Sequence, residues 1–168
     1  MCGIIGYSGR ATAVPFLLEG LRRLEYRGYD SAGVAVASQT GLAVEKTEGK
    51  VAALADQLGE PDFPKRFAGT NGIAHTRWAT HGEPSRLNAH PHCAGDIAIV
   101  HNGIIENYAE LKSHLGTRGA RFESATDSEV IAWWLHDAVE QQGLAFPAAF
   151  AGLLRALRGS YGLVALHG

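Results

Sequence analysis

Apolar positions follow two rhythms along this chain, one of strands and one of helices. Ile4-Ile5-Gly6-Tyr7 is a short apolar run that predicts a strand with Cys2 at its head. Val14, Leu17, Leu18, Leu21 and Leu24 then recur at helical spacing, with Arg22, Arg23 and Glu25 off that face. Residues 26–31 break the pattern as a loop. Val34-Ala35-Val36 and Leu42-Ala43-Val44 predict two strands of a hairpin turning through Gln39-Thr40-Gly41. A short helix over 50–58 follows, then a turn-rich connection over 60–64 that is too short for a domain linker.

Ile73–Arg77 and Ile97–His101 predict two further buried strands, separated by a polar stretch from Thr80 to Gly95. Helices are expected near 108–115, 128–141 and 148–157, and a strand over 161–166 ends the chain. Strands joined by tight turns, then helices, then a strand predict antiparallel sheets faced by helices, an α+β layering. The closing strand lacks a cap or partner, so the chain is expected to be the N-terminal portion of a longer domain.

Composition narrows the possible functions. A chain of 168 residues is expected to form one domain around a single core. Its hydrophobic fraction of 46% against 19% charged residues is ordinary for a globular protein. With a net charge of −2 nothing argues for nucleic acid or an acidic membrane surface as a partner, and Arg22, Arg23 and Arg27 are too few to form a binding stripe. Two cysteines, Cys2 and Cys93, offer no disulfide framework, which predicts a reducing, cytoplasmic setting. There is no secretory signal pattern and no apolar stretch of membrane-spanning length.

Cys2 carries the strongest chemical hint. Removal of Met1 would set its thiol beside its own α-amine, whose reference pKa of about 7.7–8.0 suits it to accept the thiol proton. The small Gly3 lets the backbone crowd close beside the sulfur. The segment 74–84 leaves a strand and enters a loop, where Arg77 could hold a carboxylate or a structural ion pair. Trp78 reads as core or lid, and His75 and His81 as satisfied polar residues near a strand. Asn102-Gly103 could supply two donors to a developing oxyanion, or could be a tight turn. Thr126 and Glu129 fit a capping box, while Asp127 suits either the helix dipole or an ammonium group. His90, His92 and Cys93 lack zinc-ligand spacing, and phosphate-cradling glycine motifs are absent. No metal or cofactor is expected. Together these groups match an amino acid with a side-chain amide, which is glutamine.

The start Cys2-Gly3-Ile4-Ile5-Gly6 resembles the class II glutamine amidotransferases. So do Leu21–Gly33, His75–Pro84, Asn88–His92 and Val100–Asn107, whose wording is closest to the branch that delivers ammonia to fructose 6-phosphate. Tyr26–Gly33 and Arg77–Pro84 set the chain apart from the amidophosphoribosyltransferase and asparagine synthetase branches, which remain the alternative together with an inactive glutamine-binding fragment. The resemblance implies an N-terminal-nucleophile hydrolase fold, an αββα sandwich. It implies Cys2 as nucleophile after loss of Met1, and Asn102 with Gly103 as the oxyanion hole. It also implies Arg77 and Asp127 on glutamine's backbone groups, Trp78, Thr80 and His81 on a closing loop, and Arg27 near the nucleophile. The half that binds fructose 6-phosphate is absent from these residues, and the longer enzyme would be a homo-oligomer.

Overall fold

The computed structural model describes residues 2–61, 63–78 and 83–168. Its strands are β1 (Gly3–Ser8), β2 (Ser31–Ser38), β3 (Gly41–Glu48), β4 (Asn71–Arg77), β5 (His92–Ala94), β6 (Ile97–Ile105) and β7 (Gly159–His167). Its helices are α1 (Ala13–Leu24), α2 (Val51–Leu58), α3 (Phe63–Arg66), α4 (Tyr108–Thr117), α5 (Glu129–His136) and α6 (Phe146–Ala156). One sheet runs β1-β4-β2-β3 and the other β5-β6-β7, with every pairing antiparallel.

Three apolar clusters define four layers. Leu17, Leu18 and Leu21 of α1 and Val51, Leu54 and Leu58 of α2 pack on Val34, Val36 and Ala74 of the first sheet. Leu115 of α4, Val130, Ile131 and Leu135 of α5, and Leu153 of α6 pack on Ile97, Ile99 and Ile105 of the second. Between the sheets lie Ala35, Ile73, Ala98 and Val100, with Ile4, Val44 and Val164 at their margins. This is the αββα sandwich that the resemblance implied. Leu17 and Leu21 are wholly buried, so truncating either to Ala would cost about 2–5 kcal/mol.

Local sequence explains most boundaries. The α1 stripe forms as its spacing predicts, and the β2–β3 hairpin turns at Gln39-Thr40 with Gly41 at φ +101°. Some features were not anticipated. The connection over 60–64 runs into α3, a single helical turn, and the polar stretch before Gly95 holds the three-residue strand β5. Strand β6 does not stop at His101; Asn102 and Gly103 stay paired with Gly162 and Tyr161 of β7. The tight-turn alternative for Asn102-Gly103 is therefore not realised. The helix expected over 128–141 forms as α5 and then widens into a π-helical turn over Asp137–Gln141.

Candidate active site

Strand alternation delivers the polar side chains. On β4, Ile73 faces the layer between the sheets and Ala74 faces α1. His75 and Arg77, two and four residues after Ile73, therefore return to the inter-sheet side. On β1, Ile4 faces that layer while Gly3 abuts α1, so Cys2 points between the sheets. On β6, Ala98 and Val100 face inward, followed by Asn102. Ile97 and Ile99 face the helices, followed by His101. The inter-sheet layer is thus apolar in its middle and polar at the end where β1 begins and β4 finishes. A cavity of about 420 Å³ opens there, lined among others by Cys2, Arg77, Asn102, Gly103 and Asp127.

Two glycines permit the close approaches. A Cβ on Gly3 would stand 2.8 Å from both Leu24 Cβ and Thr76 Oγ1, so only glycine lets β1 start against α1. Gly103 has φ +125°, and a Cβ there would lie 2.2 Å from the Ser160 carbonyl oxygen.

Cys2 Sγ accepts a hydrogen bond from the Trp78 backbone N–H at 3.2 Å. Trp78 is 46% exposed and meets Tyr29 edge-on at 6.2 Å between ring centres. Asn102 Nδ2 donates to the Cys2 carbonyl at 3.2 Å, and Asn102 Oδ1 lies 2.8 Å from His75 Nε2. Arg77 is buried, and its Nη1 donates to the Glu83 carbonyl at 3.4 Å. Burial lowers the pKa of the guanidinium, opposed by nearby Cys2 and Asp30.

Asp127 sits before α5, where Oδ2 accepts the Ile105 backbone N–H at 2.7 Å and Oδ1 accepts from the Ser128 hydroxyl at 3.3 Å. Ser128 Oγ also lies 2.7 Å from His101 Nδ1. The hydroxyl's single proton goes to the carboxylate, so His101 donates from Nδ1. The capping box does not form. Glu129 accepts instead from the backbone N–H groups of Glu123 and Ser124 and from the Ser124 hydroxyl, and Thr126 Oγ1 turns to Ser124 and His92. A buried carboxylate needs several donors, and the 123–126 loop supplies them. Asn88 ties that loop down, accepting from the Ala125 N–H at 2.9 Å and donating to the Glu83 carbonyl at 3.0 Å.

Behind the cavity stands a column of buried imidazoles. The His75 and His90 rings are 4.2 Å apart, His90 and His92 are 4.5 Å apart, and His101 lies 6.4 Å from His90. Burial pushes the His75 pKa down to about 4, against its hydrogen bond to Asn102. Burial likewise holds His90 and His92 well below the ordinary histidine value, reinforced by neighbouring cationic groups. Among the described residues no group of His, Cys, Asp and Glu converges as a metal site. Cys93 packs at the margin of the inter-sheet cluster, where burial pushes its thiol up to about 11.

The structure therefore gathers Cys2, Arg77, Trp78, Asn102, Gly103 and Asp127 around one cavity. Arg27 ends a single 3₁₀ turn over Glu25–Arg27 and is not among the cavity's lining residues. Thr80 and His81 lie outside the described residues. Sequence reasoning read His75 as a satisfied polar residue, weighed His90 only as a zinc ligand, and assigned His101 and Tyr108 no role, yet all four line the cavity. The available signal was strand alternation: His75 lies two residues from Arg77 on β4, and His101 two residues from Gly103 on β6, each on a face otherwise carrying apolar residues.

Comparison with known proteins gives the family and the fold. A model of the glutamine amidotransferase domain matches residues 75–167, more than half of the chain. Over 99% of its length the chain is 52% identical to a glutamine–fructose-6-phosphate aminotransferase (isomerizing) of Thermus thermophilus. It is 51% identical to the enzyme of that name from Helicobacter pylori, also over 99% of its length. The chain spans 27% of the length of each of these relatives. Among solved structures, a glutamine phosphoribosylpyrophosphate amidotransferase from B. subtilis superposes on 99% of the chain and 35% of its own, with a TM-score of 0.80 at 24% identity. That likeness is one of fold: the sandwich is of the N-terminal-nucleophile hydrolase type.

Proposed function

The chain belongs to the glutamine amidotransferase domain family, and from that premise we propose that this cavity hydrolyses the side-chain amide of glutamine through a thioester on Cys2. The observation that supports the reading is the meeting of a thiol, a guanidinium, a carboxylate and the Asn102-Gly103 pair at one cavity. Arg77 takes the α-carboxylate of glutamine through its planar fork, and Asp127 takes the α-ammonium. With Met1 removed, the α-amine of Cys2 accepts the thiol proton. The thiolate attacks the amide carbon, and the carbonyl π pair moves to oxygen. Asn102 Nδ2–H and the Gly103 backbone N–H stabilise that oxyanion.

Collapse of the intermediate breaks the C–N bond, and the amine's proton leaves with the nitrogen as ammonia. Water then attacks the thioester, giving its proton to the amine, and sulfur departs as the thiolate while glutamate is released. Trp78 stands beside the sulfur at the cavity, with its backbone N–H on Cys2 Sγ.

The relatives' name supports fructose 6-phosphate as the acceptor of the ammonia, in a part of a longer enzyme beyond the matched length. The chain is then the glutamine-hydrolysing portion of that enzyme, in a reducing cytoplasm that keeps Cys2 and Cys93 as thiols. Among the described residues no helix is long and apolar enough to cross a membrane. The test is glutamate release from glutamine, paired with intact mass and with adduct mapping by an electrophilic glutamine analogue. The expected result is a mass lacking Met1, turnover, and label on Cys2 but not Cys93. Label on Cys93, or turnover that survives Cys2→Ala, would overturn the reading.

A further inference from the structure

We infer that His75 is a positioning residue for Asn102, fixing the side-chain amide so that one of its N–H bonds is presented to the reacting oxygen. The inference rests on the glutamine-hydrolysing reading above and adds to it a group outside the set of nucleophile, anchors and oxyanion donors. It starts from Cys2. The Cys2 carbonyl can only accept, so the Asn102 atom 3.2 Å from it is the nitrogen. The oxygen of the same amide therefore faces His75 Nε2 at 2.8 Å. That oxygen can only accept as well, so the His75 proton sits on Nε2. The ring is neutral because it is 1% exposed and burial opposes its charge.

In that tautomer His75 Nδ1 is a bare acceptor, and it has no partner among the described residues. A buried unpartnered nitrogen carries a desolvation cost. Here the ring accepts that cost while its one donor is committed to Asn102.

The arrangement answers a specific weakness. The terminal torsion of an asparagine is broad, so its amide plane is poorly defined by packing alone. Two hydrogen bonds at opposite ends of the amide define it. One Nδ2 hydrogen is taken by Cys2, and the second is the one a substrate oxygen can take. Donation into Oδ1 also polarises the amide and strengthens its N–H bonds as donors. Because Cys2 precedes β1, His75 lies on β4 and Asn102 lies on β6, the chain of bonds locks nucleophile and oxyanion donor together across the two sheets.

The test compares His75→Ala, His75→Gln and Asn102→Ala in the complete protein. His75→Ala is expected to lower kcat roughly ten- to hundredfold, less than the roughly hundred- to thousandfold loss of an oxyanion donor itself. KM for glutamine should stay within about twofold, since ground-state contacts are untouched. His75→Gln, whose amide N–H can reach the same oxygen, should recover most of kcat. In an Asn102→Ala background, His75→Ala should cost no more than about a further twofold, because the two act as one unit. Alkylation of Cys2 by iodoacetamide needs the thiolate but forms no oxyanion, so its rate should not change.

Additive losses in the double variant, parallel loss of alkylation, or no recovery with Gln would each overturn the inference. Nitrogen-15 NMR of the His75 ring reads the tautomer whether or not the wild type turns over. A proton on Nε2 supports the assignment and a proton on Nδ1 sinks it. A wild type that releases no glutamate would count against the proposed reaction alone.

Discussion

Asp127 is held as a ligand group would be. One oxygen is spent on the Ile105 backbone N–H and the other receives only a long bond from Ser128. Neither contact neutralises its charge, so the carboxylate faces the cavity with charge to spend on an ammonium. Asp127→Asn keeps an acceptor for Ile105 while removing that charge. A hydrogen bond to a charged partner is worth about 1.5–3 kcal/mol, so KM for glutamine should rise roughly ten- to hundredfold. The anchor binds ground state and transition state alike, so kcat should change far less. Steady-state glutamate release over a glutamine titration separates the two constants. A fall in kcat at unchanged KM would remove Asp127 from the binding role.

Strand β6 joins the site to the second sheet, and Gly103 is its critical element. A side chain there would be strained twice, by φ +125° and by the backbone of β7 2.2 Å from its Cβ. Gly103→Ala should therefore push β6 from β7 beside Asn102. It should lower stability by about 1–3 kcal/mol and reduce turnover by more than the stability loss explains. Chemical denaturation and glutaminase assay on the same preparation test this; an unchanged midpoint would refute it. This strand also marks what the sequence could and could not reveal. The α1 stripe and the β2–β3 hairpin were legible because each obeys one local period. Asn-Gly is the strongest local turn signal, yet here pairing with β7 overrides it. Strand β5 was hidden because its neighbours are polar, and they are polar because His90 and His92 are buried as site-supporting rings rather than as core. The capping box failed for a similar tertiary reason, since burial of Glu129 drew its donors from the preceding loop.

For the whole molecule, burying four imidazoles at one end of the sandwich ties stability to pH. Folding lowers the His75 pKa from its ordinary 6.5 to about 4, chiefly through burial, which outweighs the opposing hydrogen bonds to Asn102 and the His101 backbone. Between these values the unfolded chain binds a proton that the folded chain refuses. Stability therefore rises with pH across that window and is lost as pH falls. For His75 alone the loss from pH 6.5 to 4 is about 3 kcal/mol. His90 and His92 shift in the same sense, the latter aided by Lys46, while Asp127 partly offsets the burial of His101. The melting temperature should be nearly flat above pH 7 and fall steeply from 6.5 towards 4. Calorimetry near pH 5.5, in buffers of different ionisation enthalpy, should register net proton uptake on unfolding. A melting temperature unchanged between pH 7 and 5 would contradict the neutral column. The proposed chemistry works above that window, because a free α-amine on Cys2 gains its basic form as pH approaches about 7.7–8.0. There His75 is neutral beside Asn102 and its contribution to stability is complete, while the α-amine of the proposed nucleophile can take a proton.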